Sequence, residues 1–221
     1  MKKNLYVAYF IDRKNPMHAS LTSEPKAFIS ELESISANFN GKRIIERVTD
    51  YSQLESFVKK IDKQNYGTFI FYFSGNGHKE DELVKKEIEL KTNSVDFDIS
   101  LDIGTCIKNG TLLGLFDIPQ FNKITFNFIL EACHTGEFIK EAKMRTNVPL
   151  LVLSATDDDG EINSSYLTNF IRIVISGVSK RFLNLERFSI LFNAWFAQSG
   201  KNCKPRFYYN HRLSPKSILF N

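Results

Sequence analysis

The sequence predicts an α/β protein built on a mostly parallel central sheet flanked by helices. Three observations carry this. Strand-length segments are apolar on both faces, as in sheets covered on both sides. Segments with helical period lie between them, and the first connections are short.

Residues 5–11 form a continuous apolar run rich in β-formers, a buried strand. Residues 24–37 carry Phe28, Leu32 and Ile35 at spacings of four and three, the stripe of an amphipathic helix. Gly41 breaks the chain, and residues 43–49, with Ile44, Ile45 and Val48, make a second strand. Ser52 is a candidate N-cap, with Glu55 three residues later completing a capping box. The helix it opens places Leu54, Phe57, Val58 and Ile61 on one stripe. Residues 68–73 are a third strand. The period then changes: Ile88 and Leu90, then Val95, Phe97 and Ile99, alternate with charged residues, which predicts an extra β-hairpin outside the main sheet. Residues 124–131 and 148–155 are two further buried strands, 164–176 and 185–198 are helical, and 206–209 is a last edge strand. No repeat or low-complexity linker divides the chain, so 1–221 reads as a single domain.

Composition narrows the function classes. A length of 221 residues suits one domain at about 150 residues each. Hydrophobic residues at 43% and charged ones at 24% exclude a disordered or fibrous chain. The net charge of +4 is mild, and Lys201, Lys204, Arg206, Arg212 and Lys216 are spread among Pro, Tyr and Asn rather than gathered in a stripe. No nucleic acid partner is expected from so weak a field. Cys106, Cys133 and Cys203 form no C-x-x-C pair, which argues against a zinc ribbon or a thioredoxin-like motif. No apolar run is long enough to span a membrane, and the first one stops at Asp12 and Arg13, too soon for a signal-peptide core. The expectation is a cytoplasmic protein with reduced thiols and no membrane partner.

Sites in open α/β sheets gather at the carboxyl ends of the strands. The third strand ends in Phe73-Ser74-Gly75-Asn76-Gly77-His78 and the fourth in Glu131-Ala132-Cys133-His134-Thr135-Gly136. Gly75-Asn76-Gly77 starts like a dinucleotide loop, but Glu80 takes the place of the third glycine. His78, Cys133 and His134 are three candidate metal ligands without a carboxylate partner, short of a closed zinc site, so no metal is expected there. The ordinary reading of Cys133 is a buried core thiol.

The combination of segments points further. Residues 71–77, Phe-Tyr-Phe-Ser-Gly-Asn-Gly, resemble the Tyr-Ser-Gly-His-Gly strand end of the caspase and metacaspase superfamily. Residues 129–136, Ile-Leu-Glu-Ala-Cys-His-Thr-Gly, resemble its Asp-Ala-Cys-His-Ser-Gly nucleophile motif. Residues 153–160 and the helix beginning near Tyr166-Leu167-Thr168 look like the start of the family's small-subunit half. Asn76 lies 57 residues ahead of Cys133, close to the His-to-Cys spacing of about 50 in caspases.

The resemblance implies a caspase-like fold, with a large-subunit-like part over about 1–140 and a small-subunit-like part over about 147–221. It implies a cysteine endopeptidase acting on polypeptides, with Cys133 as nucleophile and the N–H groups of Gly77 and Cys133 as oxyanion hole. Glu131 matches the acidic residue that lines the pocket for a basic residue before the scissile bond; its other reading is a capping or surface carboxylate. Ser154 and Asp157, at the end of the next strand, are expected to face substrate. The Asp157-Asp158-Asp159 run invites comparison with metacaspase Ca2+ dependence, with a solvated turn as the alternative. Lys140 and Lys143 follow the nucleophile where an acidic cluster would favour calcium, so no cofactor is assigned. The connection 137–147, with Lys140, Lys143 and Arg145, is either a processing site or a plain loop or helical turn. A protein partner or homodimer also fits the family.

One departure stands out. Asn76 occupies the position of the catalytic His. An amide does not titrate, so it neither draws the thiol proton nor protonates the leaving amine. This form is then impaired or inactive, or His78 serves as a substitute base, or the chain is a non-catalytic module that binds peptide or a partner.

Overall fold

A computed structural model of the chain describes residues 3–11, 23–37, 39–75, 109–133, 135–145, 147–157, 166–177, 184–198 and 204–217. The strands are β1 (Lys3–Ile11), β2 (Arg43–Arg47), β3 (Tyr66–Ser74), β4 (Ile124–Glu131), β5 (Leu150–Ser154) and β6 (Arg206–Tyr209). They make one sheet in the order β2-β1-β3-β4-β5-β6. All neighbours are parallel except β6, which runs antiparallel to β5. The helices are α1 (Ser23–Ser36), α2 (Tyr51–Val58), α3 (Asn109–Gly114), α4 (Gly136–Lys143), α5 (Tyr166–Gly177) and α6 (Leu185–Gln198), with a 3-10 turn at Pro119–Phe121. Parallel neighbours need crossover connections, and helices supply them.

The apolar runs are buried on both faces because each face carries its own helical layer. From β3, Phe69, Phe71 and Phe73 pack with Leu54 and Phe57 of α2, Leu112 and Leu113 of α3, and Phe138 and Ala142 of α4. Ile70 and Tyr72 pack on the other side, with Phe28 and Leu32 of α1, Leu167 and Phe170 of α5, and Phe188 of α6. The abundance of Phe is spent in these layers. The Phe69 ring meets Phe57, Phe116, Phe126 and Phe128 with centroids 4.8–6.4 Å apart. Such offset and edge contacts add about 0.5–1.5 kcal/mol per pair beyond area burial. Between α1 and α5, Arg172 Nε donates to Glu31 Oε1 at 3.1 Å.

Most elements fall where the periodicity places them, with ends shifted by one or two residues. The cap of α2 is a correction. Asp50, not Ser52, is the N-cap: its carboxylate accepts from Gln53 N at 2.9 Å, while Gln53 Oε1 accepts from Thr49 N at 3.0 Å. Ser52 donates its hydroxyl to Asp50 Oδ1 instead, at 2.7 Å. An Asp three residues ahead of a Gln satisfies the first-turn N–H groups as well as a Ser–Glu box, and it lies closer to the end of β2. Two helices were not foreseen as such. α3 has six residues, too few for a period to register. α4 occupies the connection read as a loop, helical turn or processing site, and it buries Phe138, Ile139 and Ala142 while Lys140 and Lys143 stay exposed. The hairpin expected over 88–99 lies outside the described residues.

Candidate active site

The carboxyl ends of β3 and β4 lie side by side, one strand from the point between β1 and β3 where the strand order reverses. Ser74 is in register with Glu131, and Gly75 N donates to Glu131 O at 3.2 Å. Gly75 sits against the stacked rings of Phe10 and Phe73, and a Cβ there would meet the Phe73 ring at 3.0 Å and the Phe10 ring at 3.2 Å. A side chain would therefore push the strand end off its aromatic base.

Two residues beyond Glu131, Cys133 is a half-buried thiol in no disulfide, packed against the layer of α1, α5 and α6. The turn that carries it is tied to β5 by buried hydroxyls. Ala132 O accepts from Thr135 Oγ1 and Thr156 Oγ1, both at 3.2–3.3 Å. Thr135 Oγ1 also lies 2.7 Å from Ser154 Oγ, and Thr135 N donates to Thr156 Oγ1 at 3.2 Å. Ser154 in turn donates to Thr156 O. Thr135 is the N-cap of α4, yet its side chain makes no cap bond, because the hydroxyl is engaged in this cluster. The carbonyl just before Cys133 is thus fixed from two sides.

Ser154 is corrected by this arrangement. Expected to face substrate, it has 0% exposure, and its hydroxyl meets Thr135 and Thr156 O beside the turn that carries Cys133. Asp157, the last described residue after β5, lies 3.7 Å from Lys204 in an ion pair that is largely open to solvent on the lysine side.

Glu131 points to the α5 side of the sheet and is only 4% exposed. Its Oε2 accepts from Thr168 N at 2.6 Å and from Thr168 Oγ1 at 2.8 Å, in the first turn of α5. Thr168 Oγ1 is also 2.8 Å from the Tyr72 hydroxyl on β3. Oε1 is buried without a hydrogen-bond partner among the described residues. Burial pushes the carboxyl up to about 7, against the opposing pull of the Thr168 hydroxyl and N–H and the Leu167 N–H. Glu131 is therefore a carboxyl that changes charge near neutrality. Its bonds to Thr168 tie it to the start of α5, and its other oxygen is buried.

Tyr72, Thr168, Thr135 and Thr156 were not foreseen as parts of the site. The one available signal was a hydroxyl-bearing Tyr within an otherwise apolar strand, since a buried Tyr O–H needs a partner. Asn76, Gly77, His78, His134, Asp158 and Asp159 lie outside the described residues, as do Cys106 and Cys203. Among the described residues no three His, Cys, Asp or Glu side chains come together as metal ligands, and no helix is long and apolar enough to cross a membrane.

A family model described as the caspase domain matches residues 40–188, from just before β2 into α6. No curated protein sequence matches the chain.

Proposed function

The chain belongs to the caspase-domain family of peptidases, and from that premise we propose that it is a cysteine endopeptidase with Cys133 as nucleophile. The observation that carries the proposal is the half-buried Cys133 thiol just past the end of β4, on a turn fixed by Gly75 on one side and by Thr135 and Thr156 on the other. A thiol held in this way meets a scissile carbonyl with little loss of orientational freedom.

In the proposed reaction the Cys133 thiolate adds to the carbonyl carbon, and the N–H groups of Gly77 and Cys133 receive the oxyanion. Collapse expels the amine, which needs a proton. Asn76 cannot supply it, so turnover in this form is slow or absent unless His78 delivers the proton. A cysteine of ordinary acidity keeps a few per cent thiolate at neutral pH, so attack by the thiolate survives, while the amine-expelling step that completes acylation does not. No cofactor enters this chemistry. Glu131 is proposed to select Arg or Lys before the cut, because a cationic head would supply the donor that Oε1 lacks.

Asn76 also favours a second reading: a non-catalytic caspase-like module that binds peptide or a protein partner. A peptide acyloxymethyl ketone ending in Arg separates the two. Alkylation of Cys133, read as a mass increase mapped to its peptide, is expected of the enzyme. A folded protein whose Cys133 does not react would overturn the enzyme reading in favour of the module.

A further inference from the structure

The buried chain from Tyr72 through Thr168 to Glu131 has more hydrogen bonds than a simple cap requires. We propose that Thr168, supported by Tyr72, is a positioning residue that sets the charge on Glu131, so that a basic substrate side chain is admitted only when this carboxyl is ionised. The inference rests on the reading of Glu131 as the floor of the pocket.

The geometry fixes the direction of the bonds. Thr168 has one hydroxyl proton, and with Glu131 ionised it points to Oε2 at 2.8 Å. Thr168 Oγ1 must then accept from the Tyr72 hydroxyl, 2.8 Å away. Together with Thr168 N at 2.6 Å, two donors converge on one oxygen, while the other is buried without a hydrogen-bond partner among the described residues. Donors aimed at a carboxylate favour its charged form, while burial opposes it.

Among the described residues, burial and hydrogen bonds govern the carboxyl. From β3 the titratable group is Tyr72, acting through Thr168; from α5 the groups are Leu167 and Thr168, neither charged; along its own chain the next titratable side chain is Cys133. Among the described residues no charged side chain contributes to the shift of the carboxyl, which comes from burial and the hydrogen bonds of Thr168 and Leu167. The balance near pH 7 is therefore set by Thr168 and tunable through it. A cation bound by Glu131 should weaken about tenfold for each pH unit below about 7, because each unit removes about nine-tenths of the remaining carboxylate.

Two measurements test this, one without any ligand. Glu side-chain 13Cδ shifts are followed against pH in the full chain, the Glu131 signal being assigned by its loss in Glu131→Gln. Binding of an acetylated tripeptide amide ending in Arg, and of its norleucine counterpart, is measured at pH 5.5, 7 and 9. The parent should titrate near neutrality and should prefer the Arg peptide most at pH 9. Thr168→Val removes the hydroxyl but keeps the backbone N–H, and should raise the midpoint by about one pH unit, weakening Arg binding about fivefold at pH 7 and leaving it unchanged at pH 9. Thr168→Ser should restore parental behaviour, and Tyr72→Phe should move the midpoint the same way by less. A midpoint that Thr168→Val does not raise overturns the proposal, whatever the peptides do. A midpoint that moves as expected while the Arg and norleucine peptides bind alike at every pH overturns the pocket reading of Glu131 and, with it, the gating.

Discussion

The backbone N–H and the hydroxyl of Thr168 both donate to a single oxygen of Glu131, joining the first turn of α5 to the last residue of β4. Cys133 follows two residues later, so the same contact that anchors α5 lies close in the chain to the proposed nucleophile. Burial outweighs these bonds, and the carboxyl stands near 7 rather than 4.5.

That displacement makes stability depend on pH in a definite direction. A carboxyl raised in the folded state holds its proton more tightly than in the unfolded chain. Its contribution is fully present below about 4.5 and is lost as pH rises through about 7, a swing on the order of 3 kcal/mol. Urea midpoints of the parent, taken relative to Glu131→Gln, should therefore fall between pH 5 and pH 8. If the two proteins change in parallel over that range, Glu131 does not titrate there.

Ser154 distinguishes a support role from a substrate role. Ser154→Ala should lower stability by about 1–2 kcal/mol, since it removes a buried hydroxyl bonded to Thr135 and Thr156. A double-mutant cycle with Thr135→Val should show coupling between the two hydroxyls. A variant of unchanged stability with altered peptide affinity would return Ser154 to the substrate side.

The cap of α2 offers an independent check on the fold. Asp50→Ala should cost about 1 kcal/mol at pH 7, and Ser52→Ala less. The hydrogen bonds from Ser52 and from Gln53 N hold the Asp50 carboxyl below its usual range. A depressed acid contributes above its unfolded value and loses that contribution as pH falls through the folded one, so the Asp50→Ala difference should shrink toward pH 3. Chemical denaturation at pH 7 and pH 3 reads both values.

Lys140 and Lys143 would suit self-cleavage under the proposed basic preference, but they belong to α4, whose Phe138, Ile139 and Ala142 are buried. A cleft that takes extended peptide would require this helix to unwind. Intact mass after prolonged incubation should remain that of the full chain, and a cut after either lysine would show that α4 opens in solution.

The proposed loss of a base at Asn76 is tested by placing His there. Asn76→His should raise hydrolysis of an Arg-ended fluorogenic peptide by about 10²–10⁴-fold, the usual worth of general acid–base catalysis. If His78 already serves as base, His78→Ala abolishes the activity of the Asn76 form and Asn76→His adds little. If both variants fold and stay inert, rescue by a restored base fails and the binding-module reading is favoured.

Periodicity in the sequence by itself determined the alternation of strands and helices, since apolar spacing depends on residues within one element. The register of glycines around Asn76 and the run from Glu131 to Gly136 likewise marked the two strand ends before any contact was known. The six residues of α3 carry too little pattern to register, α4 was foreseen at most as a helical turn, and the Asp50 cap escaped because several residue types can serve one N-terminus. Only the tertiary structure decided the partners. Glu131 finds Thr168 across 37 positions of chain, and Tyr72 finds the same hydroxyl across 96. Ser154 turns inward to Thr135 rather than outward. Which hydroxyl meets which carboxyl depends on how a helix docks on a strand far away in the chain, and docking is set by the shape of the packed layers, which no local pattern of residues records.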